Sequence, residues 1–199
     1  QLRQPASAQC RNFSGSTARR MEAATSRFSD RYITPMAAVA GSVADEVLAA
    51  MVAGRTLSKA YVNDGGDIAL FLSRGQEMLA AIAGTGHGFA DRVTIRADDP
   101  VRGIATSGWR GRSFSLGIAD TVTVLASDGA TADVAATLIA NAVDLPAHLA
   151  IQRAPANHLS PDTDLGGLMV TTGVGALTAS EVNDALGRGR AVAEEFVER

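Results

Sequence analysis

The segment Ala60-Tyr61-Val62-Asn63-Asp64-Gly65-Gly66-Asp67-Ile68-Ala69-Leu70-Phe71 constrains the fold of this chain more than any other. Two apolar runs of strand character flank a polar turn built on adjacent glycines. Such a turn asks for positive φ at its centre, which glycine supplies without steric cost. The pattern predicts an antiparallel hairpin of the primed type. The same turn leaves N–H groups unshielded, so a phosphate can lie against it, with Asp67 beside it for a metal or a hydroxyl. Short glycine motifs often mislead, and these residues alone favour the plain hairpin.

The remaining sequence narrows the setting. With 199 residues, 46% hydrophobic and 20% charged, the chain suits one globular domain with a real core. We place that domain at 17–199, after a polar stretch of 1–16 that reads as a linker or loop. A net charge of -3 and a pI near 5.6 exclude the basic footprint of a nucleic-acid-binding protein. Lys59 is the only lysine, which removes most lysine-based chemistry. Cys10 is the only cysteine, so no intramolecular disulfide and no cysteine zinc cage can form. His87, His148 and His158 are scattered, without metal-ligand spacing. No apolar run is read as reaching the roughly 18 residues of a membrane span. The expectation is a cytoplasmic protein. Because the chain begins at Gln1 rather than methionine, an N-terminal part is expected to be missing, and export stays open.

Ser16 or Thr17 is expected to cap a helix through Phe28. Thr34-Pro35 then opens a second helix to about Ala53. There Met36, Val39, Val43, Val47 and Met51 recur at helical spacing and predict a half-buried apolar face. Strands are expected near 58–63, 66–73, 77–83, 91–97, 101–106 and 119–126, in an antiparallel meander. An alanine-rich helix follows at 130–143, a long loop at 147–166 and a last strand at 167–177. Ser180 is expected to cap a C-terminal helix. This order predicts an α+β fold, with helices packed on one face of a mostly antiparallel sheet.

Three further groups carry possible chemistry. Asp133 and Thr137 share one helix face and offer hard oxygen ligands for Mg2+ or Ca2+. The structural alternative makes Asp133 a favourable first-turn charge and bonds Thr137 back to the Asp133 carbonyl. Thr106, Ser107 and Gly108 close a strand and can bind phosphate oxygens, with Arg102, Arg110 and Arg112 around them. A strand-ending turn and a solvated arginine face are the plain alternatives. Ala37-Ala38-Val39-Ala40-Gly41 with Asp45 either leaves backbone groups accessible or packs tightly on a sheet, and these residues alone favour packing.

Taken in order, the pieces resemble the ApbE-like superfamily, whose known members are flavin transferases moving FMN from FAD onto a protein threonine. Its second element corresponds to Asn63-Asp64-Gly65-Gly66-Asp67-Ile68 and its third to Ala105-Thr106-Ser107-Gly108. Its fourth corresponds to Thr121-Val122-Thr123-Val124 followed by Ala132-Asp133-Val134-Ala135-Ala136-Thr137. Its first is represented by Val39-Ala40-Gly41 with Asp45. The resemblance spans about residues 36–143. It implies a T-fold-like domain in which Asp133, Thr137 and a main-chain carbonyl near Ala38 hold Mg2+. It also implies that Asn63, Gly65, Gly66, Asp67, Thr106, Ser107 and Gly108 line a cleft for FAD. Two features depart from the family pattern. Its lysine falls at Ala40, and its histidine-containing segment falls in Trp109–Asp120, which has neither histidine nor proline. A nucleotide- or anion-binding protein without turnover is therefore the alternative. An acceptor protein and a homo-oligomer are the further partners expected from the resemblance.

Overall fold

The computed structural model describes residues 1–82 and 90–198. Residue 83, the end of the expected strand 77–83, and His87 lie outside the described residues. The chain divides into two compact units, Gln1–Thr106 with Thr123–Val134, and Ser107–Val122 with Ala135–Arg199. The elements are helical and antiparallel, an α+β composition.

In the first unit, α1 spans Ser16–Ser26, with Gly15 rather than Ser16 or Thr17 at its cap. The preceding residues are irregular but strapped down. Glu22 of α1 is 1% exposed, and it accepts from Arg11 Nε at 2.9 Å, Arg11 Nη2 at 2.7 Å and the Arg11 N–H at 2.9 Å. Burial alone would raise the Glu22 pKa, but the Arg11 hydrogen bonds and charge hold it below its ordinary value.

Thr34 accepts from the Met36 N–H and Pro35 takes the first position, but the chain first makes a 3-10 turn over Pro35–Ala38. Helix α2 then runs Val39–Val52. The apolar stripe expected to be half buried is mostly outside: Val39, Val47 and Met51 are exposed, and the buried residues are Gly41, Ser42 and Ala44. Small residues face inward because α2 meets other backbone, where larger side chains do not fit. Among the described residues, Pro35–Val52 is long and apolar enough to cross a membrane by length and composition only, and Asp45 and Glu46 interrupt its apolar run. It packs instead against the first two strands, and its Asp45 bonds to another helix.

Four strands make one sheet in the order β1-β2-β5-β6: β1 Lys59–Asp64, β2 Asp67–Leu72, β5 Gly103–Ser107 and β6 Val122–Ala126. β1 and β2 form the predicted hairpin, with Asp64 opposite Asp67. Gly65 has φ 69° and Gly66 φ 119°, so both central residues are in the region the primed turn demands. β3 (Glu77–Ala81) and β4 (Arg92–Arg96) form a separate antiparallel ribbon. Ile95 of that ribbon joins Leu70, Leu72 and Ile104 in a buried cluster.

In the second unit, 147–166 is not one loop. It contains β7 (Ile151–Pro155) and α4 (Ala156–Leu159), and β7 pairs antiparallel with β8 (Met169–Val174). Pro155 suggested a breaker, yet it takes the last strand position, where a missing N–H costs little. Ile118, Ala119, Ala140, Val143 and Ala185 form this unit's core, with Ala140 from α3 (Gly129–Ala142). Helix α5 (Ala179–Val197) is capped by Thr178, not Ser180. The run Thr178-Ala179-Ser180-Glu181 is a capping box, and Ser180 has no acidic residue three positions on. Glu181 also meets His148 Nε2 at 2.9 Å.

The Thr178 N–H, then His148 and the Thr178 hydroxyl, hold the Glu181 pKa down to about 2. A depressed carboxylate stabilises the fold above its unfolded pKa and loses that contribution as pH falls through the folded value. Glu181→Gln should therefore lower the melting temperature at neutral pH. Its deficit against the wild-type chain should shrink from about pH 4.5 downward. A deficit unchanged at pH 3 in thermal melts would contradict the assignment.

Candidate functional site

Two helices meet end against end. Asp128 opens α3 by accepting the Thr131 N–H at 2.7 Å. The Asp45 carboxylate of α2 takes the next two donors, Gly129 N–H on Oδ1 and Ala130 N–H on Oδ2, both at 2.9 Å. In return, Asp133 of α3 accepts the Gly41 N–H of α2 on Oδ2 at 3.1 Å, with the Ala40 N–H also bonded to it. Each helix thus neutralises the free N–H groups of the other with an aspartate. The approach leaves no room for side chains. A Cβ on Gly41 would stand 2.2 Å from the Gly129 carbonyl oxygen, and one on Gly129 would stand 2.9 Å from the Gly41 oxygen.

The hairpin turn supplies the neighbouring charges. Asp67 accepts the Thr106 N–H on Oδ1 at 3.2 Å, and the Thr106 hydroxyl meets that of Thr123 at 2.9 Å. Asp133 is pushed up to about 8, first by removal from water and then by the charge of Asp67. The N–H groups of Gly41 and Ala40 pull it back, and Asp64 raises it further. Asp67 and Asp64 therefore both bear on Asp133, and a bound cation would relieve that repulsion. Among the described residues, no three His, Cys, Asp or Glu side chains stand close enough to hold a metal by themselves. Hydroxyl, carbonyl and ligand oxygens would have to complete such a site, which is the hard-oxygen chemistry Mg2+ accepts.

The other expected residues are placed as follows. Asn63 accepts the Gly66 N–H on Oδ1 at 2.8 Å and so braces the turn, while the space over Gly66 is open. Ala38 is fully buried just before α2. Thr137 follows Asp133 by one turn of α3 and is half-buried, and no hydrogen bond ties its hydroxyl back to the Asp133 carbonyl. Ser107 and Gly108 fall in the second unit. Gly108 is taken up by packing, since a Cβ there would stand 2.2 Å from the Asp120 carbonyl oxygen. Sequence reasoning missed Asp64 as part of the acidic group and Asp45 as a helix cap. The signal for Asp45 was its position four residues after Gly41, one helical turn along. Two apolar grooves, of about 430 Å³ beside Ile139, Val143 and Leu186 and about 540 Å³ beside Val47 and Met51, contain none of the expected site residues.

The fold is α+β, and the comparisons with known proteins support an ApbE-related family. The chain belongs to the family described as AbpE bacteria, whose model matches residues 1–199. Among curated proteins it is similar to the UPF0280 protein of Methanococcoides burtonii, 40% identical over 115 residues, 57% of this chain and 47% of that one. It is likewise 38% identical over 120 residues to the UPF0280 protein of Methanothrix thermoacetophila, 59% of this chain and 49% of that one. The UPF0280 protein of Methanothermobacter thermautotrophicus is 36% identical over 123 residues, 57% of this chain and 44% of that one. The chain thus spans about half the length of the curated relatives it matches.

Gly41→Ala should destabilise the protein by about 3 kcal/mol or more, because both sides of the clash are backbone. Asp45→Ala should cost about 2 kcal/mol through two lost caps. Asp45→Asn should cost less but still be destabilising, because it keeps one acceptor oxygen while its amide N–H faces the other backbone donor. Urea denaturation checks all three; equal losses for the two Asp45 variants would contradict the capping role.

Proposed function

We propose that this chain has a T-fold-like fold and carries out Mg2+-dependent transfer of FMN from FAD to a protein threonine. The observation that supports this best is the seating of Asp133 against the start of α2, with Asp67 and Asp64 acting on it. That arrangement favours a divalent cation at the place the ApbE resemblance assigns to one. In this reading Asp133 and the Ala38 carbonyl would hold Mg2+, and the ApbE resemblance implies the Thr137 hydroxyl as a further ligand. When bound, the ion supplies charge neutralisation to the pyrophosphate of FAD. Asn63, Gly65, Gly66 and Asp67 position the nucleotide from the hairpin turn, and Thr106, Ser107 and Gly108 do so from the end of β5. The acceptor threonine oxygen attacks the phosphorus of the FMN half. A new phosphoester bond forms, the bond to the bridging oxygen breaks, and AMP leaves with that oxygen. The hydroxyl proton passes to solvent, and no electrons are exchanged.

A second reading has its own support. Ala40 stands where the family pattern has lysine, and Trp109–Asp120 holds no histidine to take the hydroxyl proton. On this reading the chain binds a flavin, a nucleotide or another anionic metabolite without turning it over.

One assay separates the two. The protein is incubated with FAD, Mg2+ and a threonine-containing acceptor peptide, and AMP release is followed by chromatography and peptide mass gain by spectrometry. Transfer predicts both signals, and Asp133→Ala should reduce them by about a hundredfold, the upper end of what losing even an outer-shell partner of a metal ligand costs. Mg2+-dependent thermal stabilisation by intact FAD, with no AMP, selects the binding reading. No stabilisation and no AMP sinks both.

A further inference from the structure

The loop that replaces the family's histidine segment carries a group the reading above does not use. Trp109 and Arg110 follow Gly108, and residues 110–114 are exposed. The Arg110 guanidinium lies over the Trp109 ring, 5.1 Å from its centroid. One carboxylate oxygen fastens both side chains: Asp120 Oδ1 accepts Trp109 Nε1–H at 3.0 Å and Arg110 Nε–H at 2.7 Å. The loop itself is pinned by the Trp109 N–H to the Ala119 carbonyl at 3.0 Å and the Gly111 N–H to the Gly108 carbonyl at 3.1 Å.

Stability does not account for this arrangement. Arg110 and Asp120 are 65% and 59% exposed, and an ion pair so exposed contributes little. What it does is orient. Stacking fixes the plane of the guanidinium, and the Nε bond fixes its rotation. The far edge, Nη1 and Nη2, has no hydrogen-bond partner among the described residues. That edge is the one that meets two oxygens of an anion side by side. Immobilising it beforehand removes an ordering cost from binding. Arg112, two residues on, adds a second exposed cation, which suits a multiply charged anion over a single carboxylate.

We propose that Arg110, held by Trp109 and Asp120, is a phosphate-binding arginine that takes a pyrophosphate-type group through its Nη1/Nη2 edge. The site lies wholly within the second unit and goes beyond the transfer reading.

The test uses the chain's own reporter, since Trp109 is its single tryptophan. Emission is followed while sodium pyrophosphate is titrated into the full chain, with sodium chloride holding ionic strength constant. Parallel titrations with AMP, FAD and acetate show whether the phosphate comes from a nucleotide or free anion. A saturable change with pyrophosphate and none with acetate is expected. Arg110→Gln should raise the half-saturating concentration about tenfold or more, the loss of one charge-assisted pair. Arg110→Lys should be weakened too, because it lacks the planar edge, whereas Arg190→Gln on α5 should bind as wild type. Circular dichroism melts confirm that the variants fold. No saturable response, an undiminished response in Arg110→Gln, or wild-type binding by Arg110→Lys overturns the proposal. Because the deciding titration uses free pyrophosphate, the result stands apart from whether FAD is turned over.

Discussion

The crossing of α2 and α3 at Gly41 and Gly129 is the contact on which the first unit is organised. Two helices whose backbones come this close cannot carry side chains at the crossing, and each would leave bare N–H groups against its partner. Asp45 and Asp133 solve the second problem reciprocally. The arrangement also explains the composition of the buried faces. Ala38, Ala44, Ala130 and Ala132 are all at or near zero exposure, while α2 turns its larger apolar residues outward. It further decides what the helix ends can do. Helix N-termini commonly attract anions, but here the α3 donors at Gly129, Ala130 and Thr131 already serve aspartates. This end therefore has no bare donors at Gly129, Ala130 and Thr131 left for an anion.

The hairpin adds the neighbouring charges. A primed turn needs Gly65 and Gly66 at its two central positions, and it therefore sets Asp64 and Asp67 directly opposite each other. One turn geometry thus brings two negative charges to the end of the sheet where Asp133 is already losing its water. Desolvation and like charge act in the same direction on Asp133, and the two backbone N–H bonds only partly offset them. A carboxyl in that position holds either a proton or a cation.

Much of this was legible in the sequence because it rests on local backbone rules. The Gly65-Gly66 hairpin, the Thr34-Pro35 start and the run of strands through β6 all follow from residue types that act on their own neighbours. What escaped depends on partners distant in the chain. The period of Val39, Val47 and Met51 marks a helix correctly but not which side is buried, because the inward side is chosen by the close approach at Gly41. β7 was lost because Pro155 and the polar residues after it look like a loop, and only pairing with β8 makes 151–155 a strand. The cap at Thr178 was missed although its signal was local, since Thr178 and Glu181 satisfy the capping-box spacing and Ser180 does not. Asp133 and Asp67 stand out in the sequence by helix spacing and by the glycine turn, and the order of the motifs links them. The electrostatic part played by Asp64 required knowing where the turn lies relative to α2.

Ala40 shows how a site can keep its geometry while its charge balance changes. The bond from residue 40 to Asp133 is made by the backbone N–H, which every residue except proline provides. Alanine at this position therefore preserves the contact that seats the carboxylate on α2. A lysine there would add a positive charge that favours ionised Asp133; alanine adds none. Without that charge, burial and the neighbouring Asp67 and Asp64 hold Asp133 toward its protonated form.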